Sequence, residues 1–249
     1  MSTSQAPKLV QDTASERDPT SRPNALSART PTLTPAQLDE RQIVHFSVNS
    51  RPIVDAFREI RTRLLAASND NFVTLVAPVS RGCGGSFVAR NLAVSVTFDN
   101  SKSALLVDCN LHNPSQHALM RIAPSNGGLV NYLENHREDI GSVLYDTGIP
   151  GLQLIPAGTS RHGDNEAEYF SSARMRLLID SLRNHDLARY LFLDSPPVLG
   201  APDARILADL ADVVVLVAGY GHDTPEAIAS AASHFDQRKF AGVVFNEGV

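Results

Sequence analysis

The sequence predicts an α/β fold: a doubly wound, mostly parallel sheet with helices on both faces, preceded by a disordered N-terminal tail. Three observations lead there. Short uninterrupted apolar runs alternate with helical stretches, the pattern of strands buried on both faces. A glycine-rich turn joins the first run to a helix, and acidic residues stand at the ends of two further runs.

Length and composition fit this class. At 249 residues the chain is long enough for one α/β domain and a tail. Hydrophobic residues make up 43% and charged residues 20%, a balance suited to a soluble globular protein. The net charge of −5 argues against a general binder of nucleic acid or of anionic membranes. No run reaches the roughly 18 apolar residues of a membrane span, and Met1–Asp18 lacks a signal-peptide core. A role at a membrane would therefore need a partner to bring the protein there. Two cysteines, Cys83 and Cys109, suggest a reducing, cytoplasmic compartment. Both are expected to be small buried fillers, lying fairly close together at one edge of the sheet.

Along the chain, residues 1–44 are rich in Ser, Thr, Pro, Gln and Ala and read as a flexible tail, with the folded domain at 45–249. Thr34-Pro35 could start a short helix on docking. From Pro52, the residues Ile53, Ala56, Phe57, Ile60, Leu64 and Leu65 fall at helical spacing to about Ala67, and Asn69-Asp70-Asn71 breaks that helix. Strands follow at Phe72–Ala77, Ser103–Val107, Leu152–Ile155, Tyr190–Leu193, Asp212–Ala218 and Ala241–Phe245. Helices are expected at Ser86–Val96, Ala173–Asn184, Pro202–Leu210 and Pro225–Phe235. Such a sheet binds ligands beyond the carboxyl ends of its strands.

Three motifs sit at those ends. Val79-Ser80-Arg81-Gly82-Cys83-Gly84-Gly85-Ser86 joins a strand to a helix, the context of a phosphate-binding loop. Its glycines let the backbone wrap an anion, and Ser86 could hold Mg²⁺. The strict pattern G-x-x-x-x-G-K-[ST] fails twice, with Val79 at the first glycine and Gly85 at the lysine, so an ordinary turn remains an alternative. Asp108, at the tip of Leu105-Leu106-Val107-Asp108, is placed to hold a metal or its water, or simply to cap a turn. Tyr190-Leu191-Phe192-Leu193-Asp194 followed by Ser195-Pro196-Pro197-Val198 has the form of a Walker B strand, whose acid orients Mg²⁺ or attacking water.

In order and spacing these motifs resemble the bacterial tyrosine autokinases of capsular and exopolysaccharide assembly, across about residues 52–247. That family has a helix with E-x-x-R-x-x-R, a Walker A of the type P-G-E-G-K-S-T, a second Walker motif L-L-x-D-x-D-x-R-x-P, and a Walker B followed by T-P-P-V and D-A. Asp55, Arg58 and Arg61 match the first pattern with one conservative change. Val88-Ala89-Arg90-Asn91-Leu92-Ala93 is similar to the helix after the loop, and Ile155-Pro156-Ala157-Gly158 and Ser172-Ala173-Arg174-Met175 match the middle section. The resemblance implies a P-loop NTPase-like fold that takes ATP or ADP with Mg²⁺. Arg81, Gly82, Cys83, Gly84, Gly85, Ser86 and Asn246 would bind the nucleotide, and Ser86, Asp108 and Asp194 the metal. It also implies self-association through Asp55, Arg58 and Arg61, and docking on an inner-membrane polysaccharide co-polymerase or export protein, without direct membrane insertion.

The departures fall where phosphoryl transfer would occur. Gly85 replaces the lysine, Asn110 the second Asp of the second Walker motif, and Phe87 a hydroxyl residue. The sequence ends at Val249 without a tyrosine-rich tail. No residue stands out as a confident catalytic group; Asp108, Asn110 and Asp194 are degenerate candidates. The expectation is a catalytically degenerate accessory protein of exopolysaccharide synthesis or export, cytoplasmic and peripheral to the inner membrane, with weakened nucleotide binding. Two alternatives stay open. One is an active or weak tyrosine kinase in which Arg81 stands in for the lysine. The other is a partitioning-type ATPase, whose additional lysine would occupy the position of Ser80.

Overall fold

A computed structural model of the protein describes residues 31–46, 51–66, 70–135, 139–160 and 166–247. Most of the expected tail, 1–30, lies outside the described residues, as does Ala67 at the foreseen end of the first long helix.

Seven strands form one sheet: β1 (Val73–Pro78), β2 (Ser103–Asp108), β3 (Tyr145–Asp146), β4 (Leu152–Ile155), β5 (Arg189–Asp194), β6 (Val213–Gly219) and β7 (Phe240–Asn246). Their order is β3-β4-β2-β5-β1-β6-β7, parallel except for β3, which runs antiparallel on β4. The doubly wound, mostly parallel sheet is thus observed. The described helices are α1 (Pro35–Glu40), α2 (Arg51–Leu65), α3 (Gly85–Val96), α4 (Gln116–Leu119), α5 (Leu129–Glu134), α6 (Glu166–Ser171), α7 (Ala173–His185), α8 (Asp203–Leu210) and α9 (Pro225–Ala232).

Alternation along the strands divides the core in two. Leu75, Leu105, Leu191 and Leu193 meet Phe170, Met175, Leu178 and Leu207 of α6, α7 and α8 on one face. Val76, Leu106 and Phe192 meet Phe57 of α2 and Val88 and Leu92 of α3 on the other. Both clusters exclude water almost completely, which is why the central strands read as continuous apolar runs. The cysteines are buried fillers, but Cys83 packs with the α3 cluster and Cys109 with the opposite one, so their expected proximity is not observed.

The stretch read as tail also needs correction. Its described part, 31–44, packs on the domain. α1 starts at a capping box in which Gln37 N donates to Thr34 Oγ1 and Thr34 N donates to Gln37 Oε1. Beyond α1, Ile43 and Val44 are buried beside α3. Asn91 of α3 holds them there: Val44 N donates to Asn91 Oδ1 at 2.8 Å, and Asn91 Nδ2 donates to Gln42 O at 3.0 Å. Polar composition concealed this segment because only a few side chains and one buried amide anchor it. Among the described residues no helix is long and apolar enough to cross a membrane.

Candidate functional site

The loop from β1 to α3 is built for an anion. Gly82 and Gly84 adopt left-handed backbone, with φ of +87° and +86°, a conformation open to glycine without steric cost. Gly84 is the N-cap of α3, so the first N–H groups of that helix face outward with no side chain capping them. Three ties fix the loop from behind. The Ser80 hydroxyl donates to Asp223 Oδ1, the Cys83 thiol donates to Val217 O at 3.2 Å, and Asn246 Nδ2 donates to Cys83 O at 3.1 Å. Burial pushes the Cys83 thiol above its ordinary range, so it stays a protonated filler.

In front of the loop lies a cleft of about 560 Å³. Arg81, Gly82, Gly84, Gly85, Ser86 and Asn110 line it on one side, and Pro196, Pro197 and Leu199 on the other. Of the nucleotide-binding candidates, Cys83 and Asn246 do not line it; they support the loop from behind. Arg81 is exposed at the rim.

At the lysine position there is no room for a side chain. A Cβ on Gly85 would lie 2.8 Å from both Cβ and Cγ of Pro78, inside van der Waals contact with a rigid ring. Gly85 has ordinary helical backbone, so the glycine is required there for space and not for conformation.

Parallel pairing brings the two acids together: Asp108 and Asp194 are register partners at the carboxyl ends of β2 and β5. Both are fully buried. Asp108 accepts backbone N–H groups from Asn110 at 3.2 Å, Ser115 at 3.2 Å and Gln116 at 3.0 Å. Asp194 Oδ2 accepts from Gln116 Nε2 at 2.6 Å, while its Oδ1 has no hydrogen-bond donor among the described residues. Burial raises both carboxyls above the usual range, and the charge of Asp194 adds to the shift of Asp108.

Two residues that the sequence reading did not single out complete the centre. Gln116, fully buried at the start of α4, also donates to Ser86 O at 2.9 Å and accepts from Arg90 NH1 at 3.3 Å. Arg90 is 1% exposed and sits one helical turn below Ser86. Burial lowers its pKa to about 10, against the opposing pull of Asp194. A charged residue inside the apolar stretch Val88–Ala93 was the available signal for Arg90; nothing in the local sequence marks Gln116.

As expected Mg²⁺ ligands, Ser86, Asp108 and Asp194 do not fit a directly held ion. Ser86 lines the cleft, but neither acid does; Asp194 is bonded by the Gln116 amide and the Ser86 hydroxyl, and Asp108 by three backbone N–H groups. Among the described residues no group of three or more His, Cys, Asp or Glu is arranged to hold a metal.

The self-association candidates lie on α2, away from the cleft. Arg58 pairs with Asp55 at 3.6 Å and stacks 5.5 Å from the exposed Phe46 ring. Arg61 donates to Ser95 O near the end of α3 at 2.8 Å, and burial, then Arg58, lowers its pKa.

No protein-family model matches the chain. Its sequence is 27% identical to the tyrosine-protein kinase CpsD of Streptococcus agalactiae over 193 residues, 77% of this chain and 82% of that protein. It is 33% identical to the putative tyrosine-protein kinase EpsB of Ralstonia solanacearum over 201 residues; these are 78% of this chain but only 26% of EpsB. Among solved structures, the BceF tyrosine kinase domain superposes with a TM-score of 0.68 and 27% identity, covering 88% of this chain and 91% of that domain. The phosphate loop, the acids paired across β2 and β5, and these likenesses agree: the relatives of this chain are bacterial tyrosine-protein kinases, and it shares the fold of their kinase domains.

Proposed function

We propose that this chain is a catalytically degenerate kinase-like accessory protein of exopolysaccharide synthesis or export. It works from the cytoplasmic side on an inner-membrane co-polymerase or export partner, through conformation or stoichiometry. The observation that carries this reading is the ring of Pro78 against Gly85. The lysine is absent, and the space its side chain would need is filled, so the loop is adapted to its loss.

The chemistry left to the chain is binding. Backbone N–H groups of the loop and of α3 receive phosphate oxygens, and Ser86 and Asn110 offer polar groups at the cleft wall. No cation stands at the lysine position to balance charge developing on a transferred phosphoryl group. Losing one such preorganised donor typically costs ~10²–10³ in rate. Asn110, an amide in place of the second acid, cannot take a proton from a tyrosine hydroxyl. Asp55 and Arg58, exposed on α2, remain available for contact between copies or with the partner, whereas Arg61 is already engaged by α3.

Incubation of the purified chain with ATP and Mg²⁺ should give neither phosphotyrosine nor phosphate release above that of Asp194→Asn. The export protein encoded nearby should co-purify with the chain, and deletion should disturb polymer output. ATP-dependent tyrosine phosphorylation would sink the degenerate reading; normal polymer after deletion would sink the pathway.

One observation favours a second reading, a weak kinase: Arg81 stands exposed on the cleft rim, and a guanidinium can fork onto phosphate oxygens. If it replaces the lysine, turnover is detectable and Arg81→Ala abolishes it. The partitioning-type reading is not favoured, because Ser80 stands at the position of the additional lysine and is tied to Asp223.

A further inference from the structure

We infer that Arg90 and Gln116 do at this site what a divalent cation would otherwise do, so that the phosphate loop binds a nucleoside di- or triphosphate without Mg²⁺. The inference deepens the reading above and rests on its claim that the loop still binds phosphate.

Two carboxyl groups side by side in a core need donors for their oxygens, and whichever of them ionises needs a compensating positive charge. Arg90 supplies a charge from within the chain. It lies under the loop, buried to 1% exposure, with NH1 on the Gln116 amide oxygen at 3.3 Å. Gln116 supplies donors. Its side-chain nitrogen reaches Asp194 Oδ2 at 2.6 Å and Ser86 O at 2.9 Å, and its backbone N–H reaches Asp108 Oδ2 at 3.0 Å. One residue thus joins both acids, the loop serine and the buried guanidinium.

This arrangement occupies the acids from within the chain. Neither Asp108 nor Asp194 lines the cleft, and Asp194 is already bonded by the Gln116 amide and by the Ser86 hydroxyl. A phosphate in the loop meets backbone N–H groups, the Ser86 hydroxyl and the exposed Arg81, none of which requires a metal. A metal-complexed nucleotide brings less negative charge to those donors and finds no carboxylate to hold its ion. Metal therefore leaves affinity unchanged or weakens it.

The test is calorimetric titration of the full chain with ADP and with ATP, in EDTA and in millimolar Mg²⁺. The expected result is binding in EDTA, with Mg²⁺ tightening Kd by less than about threefold. Greater tightening overturns the inference. Absence of binding in both buffers also overturns it, yet leaves the proposed lack of kinase activity standing, since that is judged by phosphotyrosine. Electron paramagnetic resonance with Mn²⁺ and ADP reads the same point on the unaltered protein: no protein-bound Mn²⁺ signal is expected, and its appearance overturns the assignment. Gln116→Ala should make ADP affinity sensitive to Mg²⁺ by more than threefold. A folded variant that stays insensitive removes Gln116 from the assignment.

Discussion

The ring of Pro78 occupies the space that any side chain at Gly85 would enter, so the last residue of β1 and the first of α3 are fitted to each other. Restoring the family lysine therefore needs two changes. Gly85→Lys alone should destabilise the fold by about 1–3 kcal/mol, the usual cost of overpacking. Pro78→Gly in the same chain removes both atoms that crowd this position and should recover most of it. Urea midpoints of the single and double variants check this, and a Gly85→Lys chain as stable as its parent would contradict the packing. Any gain of ATP turnover should likewise appear only in the double variant.

A second contact controls the loop. A Cβ on Gly84 would lie 2.0 Å from Asn246 Nδ2, at a backbone φ of +86°. Gly84→Ala should cost about 1–3 kcal/mol from the backbone conformation, with the clash in addition. Asn246→Ala should cost about 1 kcal/mol by removing the donor to Cys83 O. Because the two residues touch, the double variant should lose less than the sum of the singles. Additivity would mean that they are independent.

Protonation of the acid pair sets a pH trend. Asp108 and Asp194 both titrate above the ordinary 3.8 when folded, through burial and, for Asp108, the neighbouring charge of Asp194. The folded state then holds more protons than the unfolded chain above that pH. Their contribution to stability is full below the unfolded pKa and is lost as pH rises through the folded values. Asp194→Asn should flatten this decline between pH 5 and pH 8, conditions set by the direction of the shifts. Urea unfolding at both pH values measures it, and an unchanged slope would show that the pair does not govern the trend.

Asn91 links the N-terminal segment to the phosphate-loop helix. It accepts from Val44 N and donates to Gln42 O, and Gln42 has a positive φ of 53°, uncommon outside glycine. Asn91→Ala should cost about 1–3 kcal/mol by leaving buried backbone groups unpaired. Hydrogen exchange should speed up at Val44 more than at Leu106 in the sheet centre. Uniform change across the chain would point to global loosening instead.

Much of the fold was legible because its driving force is local and repetitive. Strands such as Leu152–Ile155 and Arg189–Asp194 are buried on both faces, so hydropathy marked them within a residue. The two-residue β3 and the short α4, α5 and α6 carry too few side chains for a period, and they were not foreseen. The loop glycines, Ser86 and the two acids were legible as residue types at the ends of strands. Their burial was not: Asp108 and Asp194 looked like metal ligands, yet a strand end reaches solvent only if no other segment crosses it.

The sequence by itself determined the layered parallel sheet, the anion-binding turn and the missing lysine, because these depend on the order of neighbouring residues. Tertiary structure alone decided that Pro78 closes the lysine's space, that Arg90 points inward beneath the acids, and that Gln116 joins them to the loop. Those contacts link residues up to 78 positions apart, as in the bond from Gln116 to Asp194. They arise from how strands stack and helices cross above them; even Pro78 and Gly85, only seven positions apart, meet because the loop between them folds back on the strand.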